Sequence, residues 1–199
     1  EFKAGETFVF DRFRVTVLPL VHSIESFAFH LKENDISNRL DEAKLRADGL
    51  EPSPLYGELK AGRSVTCEGR VYEPEAYLRD PLVGRTLIIA GDNAEPGVLG
   101  SALEGVDLLV HECTYTQEVY DALGKKLLHT TARDLGRAAQ AGGVKNVIAT
   151  HISPRYGPHG THSVEAIRDE IREQYAGGVF IAEDFDVYTL ARQGIVKKV

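Results

Sequence analysis

Thr86-Leu87-Ile88-Ile89-Ala90-Gly91-Asp92 is an apolar run that stops on a glycine and an acid, and the same pattern returns twice further on. Asp107-Leu108-Leu109-Val110 runs into His111-Glu112, and Asn146-Val147-Ile148-Ala149-Thr150 runs into His151. Short apolar runs without polar alternation read as strands buried on both faces. Helix signals lie between them. Gln117–Leu123 reads as a short helix stopped by Gly124. Thr131, with Asp134 three residues on, gives a capping signal; Leu135, Ala138 and Ala139 share one face, and Gly142-Gly143 ends that helix. Ser163 caps another helix with Val164, Ile167 and Ile171 in a stripe, before strands at Val179–Ala182 and Val187–Leu190. This βαβαβ alternation predicts a layered α/β fold built on a mixed sheet.

Upstream, the chain is more purely β. Phe13–Leu20 alternates and then turns apolar, and Phe27–Leu31 reads as a second strand. Residues 33–80 are poor in apolar runs and carry Pro52, Pro54 and Pro74. They are expected to form an inserted arm with short hairpins around Ser64–Thr66 and Arg70–Tyr72.

The 199 residues are 43% hydrophobic and 27% charged, which fits one globular domain and excludes wholesale disorder, a collagen repeat and a coiled coil. No apolar run approaches the ~20 residues that span a bilayer. Cys67 and Cys113 provide no disulfide framework, which points to a reducing, cytoplasmic compartment. A net charge of -7 argues against non-specific nucleic-acid binding but says nothing against a local phosphate site. The sequence holds no methionine and begins Glu1-Phe2, so it is expected to be a piece of a longer protein.

What stands at the strand ends is the most informative feature. Val17–Val21 delivers His22, and the three runs above deliver Asp92, His111-Glu112 and His151. In open α/β sheets the ligand site lies at the carboxyl ends of the strands. Imidazole with carboxylate suits Zn²⁺, with Mn²⁺ or Fe as alternatives. One histidine after a strand is ordinarily structural, and an Asp in Gly91-Asp92-Asn93 is ordinarily a turn residue. Four such ends in one domain make a metal site an equal contender.

Leu18–Phe29 (LPLVHSIESFAF), Leu87–Asn93 (LIIAGDN), Leu108–Tyr115 (LLVHECTY), Leu128–Ala132 (LHTTA), Val147–Tyr156 (VIATHISPRY) and Ala182–Phe185 (AEDF) follow one another in a telling order. In order and wording they resemble ribonuclease Z, the family of tRNA 3′-end processing endonucleases in the metallo-β-lactamase superfamily. The resemblance covers nearly the whole chain. It implies a metallo-β-lactamase-like αββα sandwich and a zinc-dependent endoribonuclease acting on tRNA precursors. It makes His22, Asp92 and His151 metal ligands, with Asp92 bridging two zinc ions. Glu112 and His129 match catalytic residues, and Ala182-Glu183-Asp184 looks like a further family element. Residues 33–80 take the place of an exosite arm that grips the tRNA elbow, with Leu50–Gly62 similar to its Gly-Pro part. A homodimer is implied, one subunit's arm presenting tRNA to the other's site. Ser153, Arg155 and Tyr156, directly after His151, are then expected to touch RNA; Arg155 is as readily a structural ion pair, and His129 has a structural alternative beside its helix.

The departures are specific. Asn93 stands where the family usually reads threonine, and Ser53-Pro54 replaces Gly-Pro. The arm holds seven Lys/Arg against eleven Asp/Glu. The superfamily's first metal motif, His-x-His-x-Asp-His, does not occur in the sequence, where the short-range histidine pair is His159 and His162. The chain is therefore expected to be the C-terminal portion of the enzyme, inactive alone. Two other readings stay open: a hydrolase of another phosphodiester on the same fold, and a non-catalytic scaffold module.

Overall fold

The structure is a computed structural model that describes residues 1–124, 127–157 and 159–199. The chain divides into two compact units, Glu1–Glu33 with Arg85–Val199, and Asn34–Gly84.

The larger unit is built on a seven-stranded sheet whose spatial order follows the chain. Its strands are β1 (Thr7–Val9), β2 (Phe13–Pro19), β3 (Phe27–Glu33), β4 (Thr86–Ala90), β5 (Leu108–Glu112), β6 (Asn146–Thr150) and β7 (Gly178–Ile181). Pairing is antiparallel from β1 to β4 and parallel from β4 to β7. Two antiparallel steps carry β2 to β4 and restore its direction. β2, β4, β5, β6 and β7 therefore all run the same way and end at one edge of the sheet. That single fact gathers residues from four distant stretches of sequence.

The helices are α1 (Gln117–Ala122), α2 (Ala132–Ala141) and α3 (Val164–Gln174). Both capping signals read from the sequence are made. The Thr131 hydroxyl accepts the Asp134 N–H at 3.2 Å, and the Ser163 hydroxyl accepts that of Glu165 at 3.2 Å. Leu135 and Ala139 of α2 and Ile167 and Ile171 of α3 share a core with Ile88, Leu109, Val147 and Val179 of the sheet. The two helices approach so closely that a side chain at Gly136 would stand 2.8 Å from the Ile171 carbonyl oxygen. Strand alternation sends Leu108 and Ile148 to the opposite face. There they pack with Val196 of the hairpin β8 (Tyr188–Leu190)–β9 (Val196–Lys198). Of the layers that the resemblance implies, the described residues thus supply helices, the large sheet and a hairpin across its other face.

At the end of β3, Glu33 accepts a hydrogen bond from Arg85 Nε at 2.8 Å and pairs with Arg85 Nη2. These guanidinium bonds hold the Glu33 carboxyl down at about 2.

The smaller unit differs from the expected hairpin arm. The hairpin Val65–Cys67 with Arg70–Tyr72 forms, turning through Glu68 and Gly69 at φ 49 and 81. Around it, however, lie helices Glu42–Ala47 and Leu55–Lys60. With Leu45, Leu50, Tyr56, Leu59, Tyr72 and Tyr77 they form a core of their own. Helices of six residues span less than two turns and leave no periodicity to read. Much of the unit's positive charge is internally matched: Arg46, Arg63, Arg70 and Arg79 stand within ion-pairing distance of Glu42, Glu58, Asp48 and Asp41.

Candidate metal and acid–base centre

His22 lies just beyond β2, Asp92 just beyond β4, Glu112 at the last position of β5 and His151 at the first position after β6. His129 comes from the loop before α2. His22 Nε2 is 3.9 Å from Asp92 Oδ2, and His151 Nε2 is 3.8 Å from Asp92 Oδ1. The His129 ring centre is 5.3 Å from that of His22 and 5.1 Å from that of His151. Ligand atoms of Asp92, His129 and His151 all lie within 4.8 Å of one another.

The hydrogen bonds set the tautomer of each ring, because a carbonyl only accepts and an ionised carboxylate only accepts. His22 Nδ1–H donates to the Leu128 carbonyl at 2.9 Å. His129 Nδ1–H donates to Glu112, at 3.1 Å to Oε2 and 3.2 Å to Oε1. The Thr114 hydroxyl gives its one proton to Glu112 Oε2 at 2.7 Å, so it accepts from His151 Nδ1–H at 3.0 Å. Each of the three imidazoles thus has its Nδ1–H committed to a protein acceptor, which leaves Nε2 as the ring atom available to a metal or a proton. Such outer partners are the arrangement that fixes metal-binding histidines. Tetrahedral zinc with ~2.0–2.1 Å bonds needs donors about 3.4 Å apart. The measured 3.8 and 3.9 Å separations are close to that spacing. The donor set fits a borderline-soft cation.

Exposure is graded across the cluster. The side chains of Glu112 and His22 are 1% and 13% exposed, against 40% for Asp92 and 48% for His151. Glu112 forms the floor, and besides His129 and Thr114 it accepts the N–H groups of Asn93 at 2.5 Å and Thr130 at 3.2 Å. Its charge is thus met by four donors. His151 carries a further mark: its φ is +54, a left-handed backbone that costs a non-glycine residue roughly 1–2 kcal/mol. Strain of this kind is retained where a side chain must be aimed.

Other residues expected at the site are placed differently. Tyr156 is 5% exposed and belongs to the main core, its hydroxyl bonded to the Thr116 N–H at 2.8 Å and the Thr116 hydroxyl at 2.9 Å. Ser153 is 8% exposed and caps the short turn Pro154–Tyr156 by accepting the Arg155 N–H. Both hold the loop after β6 in place. Arg155 is exposed, and no carboxylate among the described residues pairs with it. His111 is fully buried rather than presented at a strand end. Its pKa is pushed down by that burial. Asn93, read from the sequence only as a departure, is fully buried and bonded to both Glu112 and His111. No sequence signal separates a buried amide of this kind from a turn residue. The two cysteines are free.

Several curated proteins similar to the chain are named ribonuclease Z. Ribonuclease Z of Pseudomonas putida is 36% identical over 189 residues, 94% of this chain and 59% of that protein. Ribonuclease Z of Marinobacter nauticus is 36% identical over 192 residues, 95% of this chain and 59% of that protein. That of Shouchella clausii is 35% identical over 192 residues, with 94% and 59% covered. The chain spans about three-fifths of the length of these relatives. No family model matches it. Among solved structures, the metallo-β-lactamase fold protein YhfI of Bacillus subtilis superposes with a TM-score of 0.56 at 16% identity, over 100% of this chain and 54% of that one. That likeness establishes the fold.

Proposed function

We propose that the chain belongs to the ribonuclease Z family, whose curated members it resembles at 35–36% identity, and that the protein carrying it is a metal-dependent endoribonuclease. Its substrate is the phosphodiester at the 3′ end of tRNA precursors, and its compartment the cytoplasm. The observation that supports this most is the gathering of three imidazoles, each with its Nδ1–H held by the protein, around one carboxylate at a shared strand edge.

His22, Asp92 and His151 would hold metal, and their imidazole and carboxylate donors favour zinc. The complete enzyme would hold two zinc ions at this site. Bound zinc supplies a hydroxide near neutral pH and charge stabilisation at phosphate oxygens. His129 is assigned as the acid. Glu112 fixes its Nδ1–H, so Nε2 is the atom that holds a proton for the departing ribose oxygen. Arg155, exposed and unpaired among the described residues, is assigned to the RNA backbone. The unit Asn34–Gly84 is assigned to gripping tRNA, and its internally matched arginines leave shape and hydrogen bonding to carry that contact. A homodimer in which one subunit's arm serves the other's site completes the proposal.

The substrate is tested by offering the full-length protein a 3′-extended tRNA precursor and, separately, a small cyclic phosphodiester. Cleavage of the precursor after the discriminator nucleotide supports the assignment. Turnover of the small ester with the precursor left intact overturns it.

A further inference from the structure

Asn93 is fully buried next to Asp92, and each of its polar groups reaches a different segment of the site. Its N–H donates to Glu112 Oε1 at 2.5 Å, and its carbonyl accepts the Thr130 hydroxyl at 2.5 Å. Its side-chain Oδ1 accepts the N–H groups of Val21 at 3.0 Å and Glu95 at 3.3 Å. Its Nδ2 lies 3.0 Å from His111 Nε2. The last bond has a defined direction. His111 Nδ1 is 2.7 Å from the Glu112 carbonyl oxygen, which only accepts, so Nδ1 carries the ring proton and Nε2 accepts from Asn93. His111 is therefore a spacer between the Asn93 amide and the backbone of Glu112.

The sequence neighbours of these atoms are the candidate site itself. Val21 precedes His22, Thr130 follows His129, Asn93 follows Asp92, and Glu112 is bonded directly. One residue thus ties together four of the five groups to which chemistry has been assigned; His151 is held separately, through Thr114. We propose that Asn93 is a positioning residue whose side-chain amide sets the distance between the ligand pair His22–Asp92 and the acid pair Glu112–His129. This rests on the phosphodiesterase reading above. Both halves of the amide are needed, the oxygen for the Val21 N–H and the NH₂ for His111. A 1 Å misplacement of reacting groups is enough to cost about 10²-fold in rate. Zinc binding does not rest on the Asn93 amide alone, because His151 is held separately through Thr114.

The test uses the full-length protein and its Asn93→Asp and Asn93→Thr variants. Aspartate keeps the size and the Val21 bond but turns an acceptor toward His111 Nε2. Threonine supplies a hydroxyl that both donates and accepts. For Asn93→Asp, kcat on a 3′-extended tRNA precursor should fall ten- to a hundredfold with KM within threefold and zinc content unchanged. Asn93→Thr should recover most of that loss. In ¹⁵N NMR of the wild type, His111 should carry its proton on Nδ1. The inference is overturned if folded Asn93→Asp turns over within twofold of wild type, if zinc and activity fall together, or if His111 is protonated on Nε2. A wild-type protein that cleaves no RNA would sink the proposed function instead, and the His111 tautomer would still decide this one.

Discussion

His129 Nδ1 stands 3.1 Å from Glu112 Oε2, over a carboxylate whose side chain is 1% exposed. That carboxylate is fixed by the backbone of Asn93 and Thr130 and by the Thr114 hydroxyl. The ring therefore cannot rotate without giving up its one strong partner, which leaves Nε2 as the atom available for chemistry. His151 has no carboxylate held against it within hydrogen-bond distance and instead borrows the Thr114 hydroxyl. The two histidines sit side by side with unlike supports, which is why unlike roles are assigned to them.

Under the proposed function, His129→Ala in the full-length protein should leave zinc content unchanged and lose about 10²–10⁴-fold in turnover, the usual worth of one proton donor. His151→Ala should lose zinc and activity together. Metal analysis beside single-turnover rates separates the two. Equal zinc loss in both variants would make His129 a ligand.

The left-handed backbone at His151 carries a second expectation. His151→Asn and His151→Ala both remove the donor, but asparagine tolerates φ +54 far better than alanine. In denaturant unfolding without added metal, the Asn variant should be the more stable by about 1 kcal/mol. An alanine variant as stable as the asparagine variant would mean the backbone relaxes freely there.

Stability should respond to acid through Glu33. Hydrogen bonds from Arg85 lower its folded carboxyl to about 2, below the ordinary value of 4.5. A depressed carboxyl stabilises the fold above its unfolded value, and that contribution is lost as pH falls from about 4.5 toward 2. Glu33→Gln should accordingly flatten the unfolding midpoint across this window. An unchanged slope would show that other carboxylates govern acid unfolding.

Gly136 sets how closely α2 and α3 pack, since an added Cβ would meet the Ile171 carbonyl at 2.8 Å. Gly136→Ala should destabilise by about 1–3 kcal/mol, the range for overpacking a filled core. It would do so despite the better helix propensity of alanine. A midpoint at or above wild type in thermal unfolding would contradict this packing.

The parts of the molecule that could be read in advance share a physical cause. Val147–Ala149 is buried on both faces, so every residue is apolar and the strand announces itself; Leu87–Ala90 is equally apolar although Ile89 is exposed. Thr131 and Ser163 were legible as caps because the bond each makes is local. His22, Asp92, Glu112 and His151 were legible because parallel strands bring their ends to one edge. The burial of Tyr156 and Ser153 was not legible, because an aromatic or hydroxyl residue beside a strand-end histidine reads the same whether it faces a cleft or the core. The helices at Glu42–Ala47 and Leu55–Lys60 are too short to show a period. Asn93 drew notice only as a departure from the family, since its partners other than Glu95 lie 18 to 72 residues away in sequence.

The central claim is that the strand-edge cluster is the metal centre of an RNA phosphodiesterase. The most direct measurement follows cleavage of a 3′-extended tRNA precursor by the full-length protein before and after removal of metal with a chelator, and again after zinc is restored. The account predicts cleavage after the discriminator nucleotide, its loss on chelation, and its return with zinc in wild type but not in Asp92→Asn. Cleavage that survives complete metal removal, or that Asp92→Asn leaves intact, would contradict it.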